Sequence, residues 1–156
     1  QDFIGDTERT VPCILADSDD LDSLRALAKK ATSIITTVGP YAYYGSKLVQ
    51  ACAEEGTHYV DLAGETPWMR EMIDAHHETA QKTGAKIVHS CGFDSIPSDM
   101  GTYFMQKEAQ ARFGKPLQKV RYALIKSKGG MSGGTAHSML NVLKQAVSDK
   151  KVRKIR

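Results

Sequence analysis

The 156-residue sequence predicts an α/β protein built on a parallel sheet. The first observation is that short apolar segments and segments of helical periodicity alternate four times with short connections, which favours parallel strands joined by crossover helices. The second is that residues 33–38 are β-branched almost throughout and lack alternation, as in a strand buried on both faces. The composition, 41% hydrophobic and 25% charged, is ordinary for a globular chain.

The predicted elements follow in the order strand, helix, repeated four times. Strands are predicted at residues 11–16, 33–38, 58–62 and 85–90. The helices that follow them are predicted to end near residue 31 and at the C-capping glycines Gly56, Gly84 and Gly114. The strand at 33–38 is stopped by Gly39-Pro40, and the last of these helices spans about 99–113.

The character of the sequence changes after Pro116. Residues 119–125 alternate polar and apolar side chains, which predicts a half-exposed strand. A glycine-rich segment follows, and then a final helix with apolar residues at helical spacing. We therefore expect two units, residues 1–114 and the beginning of an α+β domain at residues 115–156.

Composition excludes several classes of protein. No apolar run approaches the length of a membrane-spanning helix, and no secretory signal is visible. A net charge of +3 is too small to indicate a nucleic-acid partner. Three widely spaced cysteines without a Cys/His cluster predict reduced thiols in a reducing compartment and no metal site. We expect an intracellular protein, cytoplasmic or peripheral to a membrane.

Candidate binding residues follow the predicted strands, because ligands of open parallel sheets bind outside the carboxyl ends of the strands. Gly39 would let a ligand approach the backbone, Pro40 would fix the turn, and the next helix N-terminus would favour an anion. The alternative is a rigid turn whose aromatic residues, Tyr41 among them, pack against a neighbour. Asp17 would bind an adenine or ribose, or it would simply cap a helix.

Two further loops carry candidate side chains. Asp61 and Glu65 bracket one strand end and would form an acid–base pair, unless Glu65 only complements the dipole of the next helix. Asp94 is the best candidate for a polar contact in the loop at 91–99. Cys91 would be a nucleophile or, alternatively, a buried thiol, and no catalytic acid or base is assigned.

Three motifs together resemble the saccharopine dehydrogenase-like oxidoreductases, in the branch that includes the trans-acting enoyl reductases. They are Val38-Gly39-Pro40-Tyr41 followed by Tyr44-Gly45, then residues 56–65, and then residues 91–101. The resemblance implies an NAD(P)-binding Rossmann domain followed by an α+β domain. It places the Gly-Pro-Tyr loop beside the cofactor and Asp17 near its adenosine part. The cofactor-contacting residues expected on this basis are Asp17, Val38, Gly39, Pro40, Tyr41, Phe93 and Asp94.

The sequence departs from the family at the phosphate-binding turn, since no GxGxxG motif occurs in it. We therefore expect an incomplete Rossmann-like doubly wound sheet, a piece of a longer protein, with weak or no binding of NAD or NADP by this chain alone. In that sheet the strand at 11–16 would lack a neighbour to pair with.

The expected function is part of an oxidoreductase that transfers hydride to or from an unidentified small or lipid-like substrate. The alternative is a non-catalytic, membrane- or lipid-associated interaction protein that keeps the fold. The basic residues 150–156 would then help to contact an anionic surface, or they are simply a solvated run of charges. The sequence leaves open the substrate, the choice between NAD and NADP, and whether the protein is a homodimer.

Overall fold

A three-stranded parallel sheet forms the centre of the protein in the computed structural model, which describes residues 12–126, 128–130 and 133–148. The strands are β1 (Ser33–Thr36), β2 (His58–Asp61) and β3 (Ile87–Val88), in the order β1-β2-β3. Both pairings are parallel, with Thr36 opposite Asp61 and Val60 opposite Val88. The α/β prediction is therefore confirmed.

Six helices accompany the sheet in the described part of the chain. They are α1 (Leu21–Ala28), α2 (Tyr41–Tyr44), α3 (Ser46–Glu55), α4 (Thr66–Thr83), α5 (Ile96–Phe113) and α6 (Gly133–Ser148). Gly56, Gly84 and Gly114 end α3, α4 and α5 with φ angles of 75°, 82° and 67°. All three predicted helix ends are therefore confirmed. The left-handed conformation that each cap requires costs glycine little.

The core lies between one face of the sheet and the helices α1, α3 and α4, which pack side by side. Tyr59 of β2 is fully buried there, together with Val49 and Cys52 of α3. Ile35 points to the opposite face and is 79% exposed, so the prediction of a strand buried on both faces is wrong. Side chains of a strand alternate between faces, and the core forms on one face only.

Two predicted strands are absent from the described residues. Residues 12–16 are exposed and form no strand, while Val11 lies outside the described residues. Residues 119–125 likewise form no strand, and Ile125 is almost fully exposed. A strand needs a hydrogen-bonded neighbour, and the incomplete sheet predicted from the sequence offers none to residues 11–16.

Candidate functional site

The loops that follow β1 and β2 are joined through buried polar contacts. Glu65 accepts hydrogen bonds from the backbone N–H groups of Tyr41 at 2.9 Å and Ala42 at 3.0 Å. The Tyr41 hydroxyl donates to the Thr36 carbonyl at 3.3 Å and accepts from the Leu62 N–H at 3.4 Å. The first turn of α2 is thus fixed by the loop of the neighbouring strand.

The loops that follow β2 and β3 are joined as well. The Cys91 N–H donates to the Asp61 carbonyl at 2.6 Å, and the Ser90 hydroxyl donates to the Ala63 carbonyl at 2.7 Å. A Cβ atom on Gly92 would lie 2.8 Å from the Cβ of Leu62, so this approach requires glycine. Three loops that are far apart in the sequence therefore share one edge of the sheet, which we call the rim: residues 37–42, 62–65 and 90–94.

The candidate residues at the rim fall into two groups, one buried and one exposed to solvent. Pro40 and Tyr41 are buried, and the Tyr41 ring stacks on Trp68 with centroids 5.5 Å apart. The peptide bond between Gly39 and Pro40 is cis. The other rim candidates, which are exposed to solvent, are Val38, Gly39, Phe93 and Asp94. The buried pair shapes the loop, and the exposed residues are the ones a ligand would meet.

Asp17 lies in the turn before α1, and the segment that precedes it forms no sheet strand. Its carboxylate accepts from the Asp19 N–H at 2.8 Å, and its own N–H donates to the Ser23 hydroxyl at 3.2 Å. Asp20 rather than Asp17 caps α1. The turn approaches the start of α3 through Lys47, whose ammonium donates to the Asp19 carbonyl at 2.6 Å. These contacts favour a local structural role for Asp17.

Asp61 is held in a buried network at the end of β2. It accepts from the Tyr59 hydroxyl at 2.9 Å and from the N–H groups of Ala63 and Ser90, both at 3.0 Å. His89 Nδ1 lies 2.7 Å from Oδ2, the oxygen that also accepts from Tyr59, while Oδ1 accepts from the two N–H groups. Burial opposes the charge, but the hydrogen bonds from His89, Ala63 and Tyr59 hold the pKa of Asp61 below its ordinary value.

Asp61 and Glu65 therefore do not form a free acid–base pair, since both carboxylates bind structural donors. A third donor reaches Glu65 from the other end of the chain, because the Ser138 hydroxyl of α6 lies 2.8 Å from its Oε1. The rings of Tyr43 and His137 also meet there, 6.3 Å apart. Helix α6 thus touches the rim through Ser138 and the neighbouring Tyr43 through His137, while its apolar residues Met139, Leu140 and Leu143 stay exposed.

Sequence reasoning missed His89 and the partners of Glu65. The parallel register could have identified His89, because the pairing of Val60 with Val88 sets Asp61 beside His89. No local pattern marks Glu65 as a ligand of the α2 backbone, since its partners lie more than 20 residues away.

Neither a reactive thiol nor a metal-binding group is found at the site among the described residues. Burial and the nearby Asp61 charge raise the pKa of the Cys91 thiol, which disfavours the reactive thiolate. Across the part of the chain that the structure describes, no group of three or more His, Cys, Asp or Glu side chains could hold a metal ion. None of the described helices is both long and apolar enough to cross a membrane.

Comparison with known proteins decides the family. Residues 6–88, more than half of the chain, match the model of the saccharopine dehydrogenase NADP binding domain. The chain belongs to this family. The resemblance seen in the sequence is thereby confirmed, and the three-stranded parallel sheet is part of a Rossmann-like NADP-binding domain.

Several relatives of this saccharopine dehydrogenase NADP-binding family member come from mycobacteria. The chain is 44% identical over 154 residues to a Mycobacterium tuberculosis protein named "Putative trans-acting enoyl reductase". It is 39% identical over 154 residues to a Mycobacterium bovis protein named "Trans-acting enoyl reductase". These alignments cover 99% and 98% of the chain, and the chain spans 37% of the length of each relative.

A third relative, named "Trans-acting enoyl reductase" in Mycobacterium leprae, is 48% identical over 101 residues, which are 65% of this chain and 24% of that protein. The basic run at residues 150–156, named above as a contact for an anionic surface, lies outside the described residues.

Proposed function

We propose that this chain supplies one wall of the NAD(P) site of an oxidoreductase, which transfers hydride to or from a small or lipid-like substrate. The observation that carries the proposal is the rim, where three loops meet at the carboxyl edge of a parallel sheet. Ligands of doubly wound sheets bind at that edge. Family membership supports a nicotinamide dinucleotide as the ligand.

The rim residues fit one side of such a cofactor. Gly39 is exposed and has no side chain, so a ligand can approach the backbone after β1 closely. Val38 and Phe93 offer exposed apolar surface for a flat ring, and Asp94 offers a hydrogen-bond acceptor. Pro40 and Tyr41 act indirectly by holding this loop, and the assignment of Asp17 to the adenosine part stays a prediction.

We also propose that cofactor binding and substrate binding are carried by two different parts of the chain. Residues 1–114 form the dinucleotide-binding part, and residues 115–156 begin the substrate-binding unit. The Ser138–Glu65 contact supports this arrangement, since it seats α6 of the second unit beside the cofactor loop. The substrate would lie between the loop at 91–99 and α6. When bound, the cofactor would give or accept the hydride, and the rim residues would orient it.

Binding of the free dinucleotide to this chain is expected to be weak, because the sequence holds no GxGxxG turn for the pyrophosphate. A titration of the isotope-labelled chain with NADPH and NADH, followed by amide NMR, tests the proposal. We expect millimolar affinity, with chemical-shift changes at Gly39, Tyr41, Phe93 and Asp94.

Asp94→Ala should weaken this binding, whereas Asp99→Ala, an exposed acid in the first turn of α5, serves as the matched control. Shift changes that spare the rim, or equal affinity of the two variants, would contradict the proposed wall. Micromolar affinity would contradict the expected weakness but not the location.

A further inference from the structure

The start of α2 already holds an anion, the side chain of Glu65. This carboxylate is 2% exposed and accepts from the N–H groups of Tyr41 at 2.9 Å and Ala42 at 3.0 Å, the first two donors of the helix. The two N–H groups that follow both donate to the Pro40 carbonyl, at 3.1 Å and 3.2 Å. The sequence predicted that this helix start would favour an anion, and the protein supplies that anion itself.

The contacts of Glu65 are those of an ionised group. Its Oε1 accepts from the Tyr41 N–H and the Ser138 hydroxyl, and its Oε2 accepts from the Ala42 N–H. A carboxylate only accepts hydrogen bonds, which matches three donors on two oxygens. Because the group is buried, its negative charge is screened less by salt than the charge of a surface acid.

The rest of the rim adds a second acid and no basic side chain. Asp94 is exposed, and residues 37–42, 62–65 and 90–94 include no Lys, Arg or His. The other rim N–H groups that donate within the protein are those of Val38, Leu62, Ala63, Ser90 and Cys91. Proteins bind phosphate through backbone N–H groups and through Arg or Lys, so the rim is poorly suited to a phosphate group.

We propose that Glu65 is a specificity-determining residue, whose carboxylate takes the place of a ligand phosphate at the start of α2 and keeps phosphate groups away from the rim. The rim then admits parts of a ligand that carry no negative charge, such as a nicotinamide ring with its ribose. The inference rests on the proposed function, since it concerns which part of the dinucleotide meets the rim.

Nicotinamide riboside and nicotinamide mononucleotide test the proposal, because they differ in a single phosphate group. In amide NMR titrations of the 156-residue chain, both should shift Gly39 and Phe93, and the mononucleotide should bind no more tightly than the riboside. Inorganic phosphate should leave these two amides unchanged. A mononucleotide bound about 10-fold more tightly, or a rim that responds to inorganic phosphate, would overturn the proposal.

NADH separates failure of this inference from failure of the proposed function. If NADH shifts the rim amides and the riboside does not, the inference fails and the proposed function stands. If neither molecule shifts them, both fail.

Two variants test the charges directly, through the ratio of mononucleotide to riboside affinity. Glu65→Gln removes the charge and keeps an acceptor oxygen, so the ratio should rise by about 3-fold, whereas Glu71→Gln on the exposed side of α4 should leave it unchanged. Both ligands are compared on the same folded protein, so a loss of stability does not alter the ratio. An unchanged ratio in Glu65→Gln would overturn the role of Glu65.

The second variant places a cation at the rim. Asp94→Lys should also raise the ratio, because its ammonium attracts the phosphate, and Asp99→Lys in the first turn of α5 is the matched control. An equal ratio in these two variants would show that the ligand lies away from the rim and would overturn the proposal.

Discussion

Replacement of Glu65 by alanine should destabilise the protein far more than replacement of Asp94, the other carboxylate of the rim, which is exposed. Its carboxylate is 2% exposed and accepts from the N–H groups of Tyr41 and Ala42 and from the Ser138 hydroxyl. Alanine would leave the Tyr41 N–H buried without an acceptor. The short helix α2 would lose the contact that fixes its first turn.

The size of the destabilisation depends on whether water can replace Glu65 as the acceptor for each of its three donors. A buried N–H without a partner costs about 1–3 kcal/mol, and this applies to Tyr41. Ala42 and Ser138 are only partly buried, so water replaces much of what they lose, and each adds roughly 0.5–1 kcal/mol. The free energy of unfolding should fall by about 3 kcal/mol in Glu65→Ala.

Urea unfolding followed by the fluorescence of Trp68 measures this effect, because Trp68 is the single tryptophan and packs on Tyr41. Glu65→Gln keeps one acceptor oxygen and should lose about half as much, near 1–2 kcal/mol. Glu71→Ala, an exposed acid on α4, is the matched control and should stay within about 0.5 kcal/mol of the parent chain. A Glu65→Ala variant as stable as this control would refute the reasoning.

Three other predictions follow from the packing and the pKa shifts. Gly45→Ala should cost about 1–3 kcal/mol in urea unfolding, since its Cβ would lie 2.7 Å from the Trp68 ring, whereas Gly64→Ala meets no atom within 4 Å and should be nearly neutral. The lowered pKa of Asp61 means that its contribution to stability is complete above about pH 4 and is lost as pH falls through the folded-state pKa. Unfolding curves of the parent chain and Asp61→Asn should therefore converge in acid, and a difference independent of pH would argue against the charged network. Burial raises the pKa of the Cys52 thiol to about 12, so Cys52 should resist a thiol reagent at neutral pH until urea unfolds the protein, as peptide mapping of the labelled chain would show.

Local sequence signals were sufficient to predict three helix ends and the edge of the sheet at which the loops meet. Gly56, Gly84 and Gly114 mark helix ends because a left-handed C-cap depends on one residue and its immediate neighbours. The strands β1, β2 and β3 were located from apolar runs, and their parallel arrangement places all following loops at one edge. These inferences need only chain connectivity and short-range conformational preferences.

The tertiary structure decided which polar groups meet and which apolar runs become strands. Residues 12–16 are as apolar as β3 but stay exposed, since strand formation requires a hydrogen-bonded neighbour. Glu65 and His89 acquire their roles from partners 20 or more residues away, set by strand register and helix packing. Periodicity within a segment carries no information about such partners, because their positions depend on how separate elements are brought together.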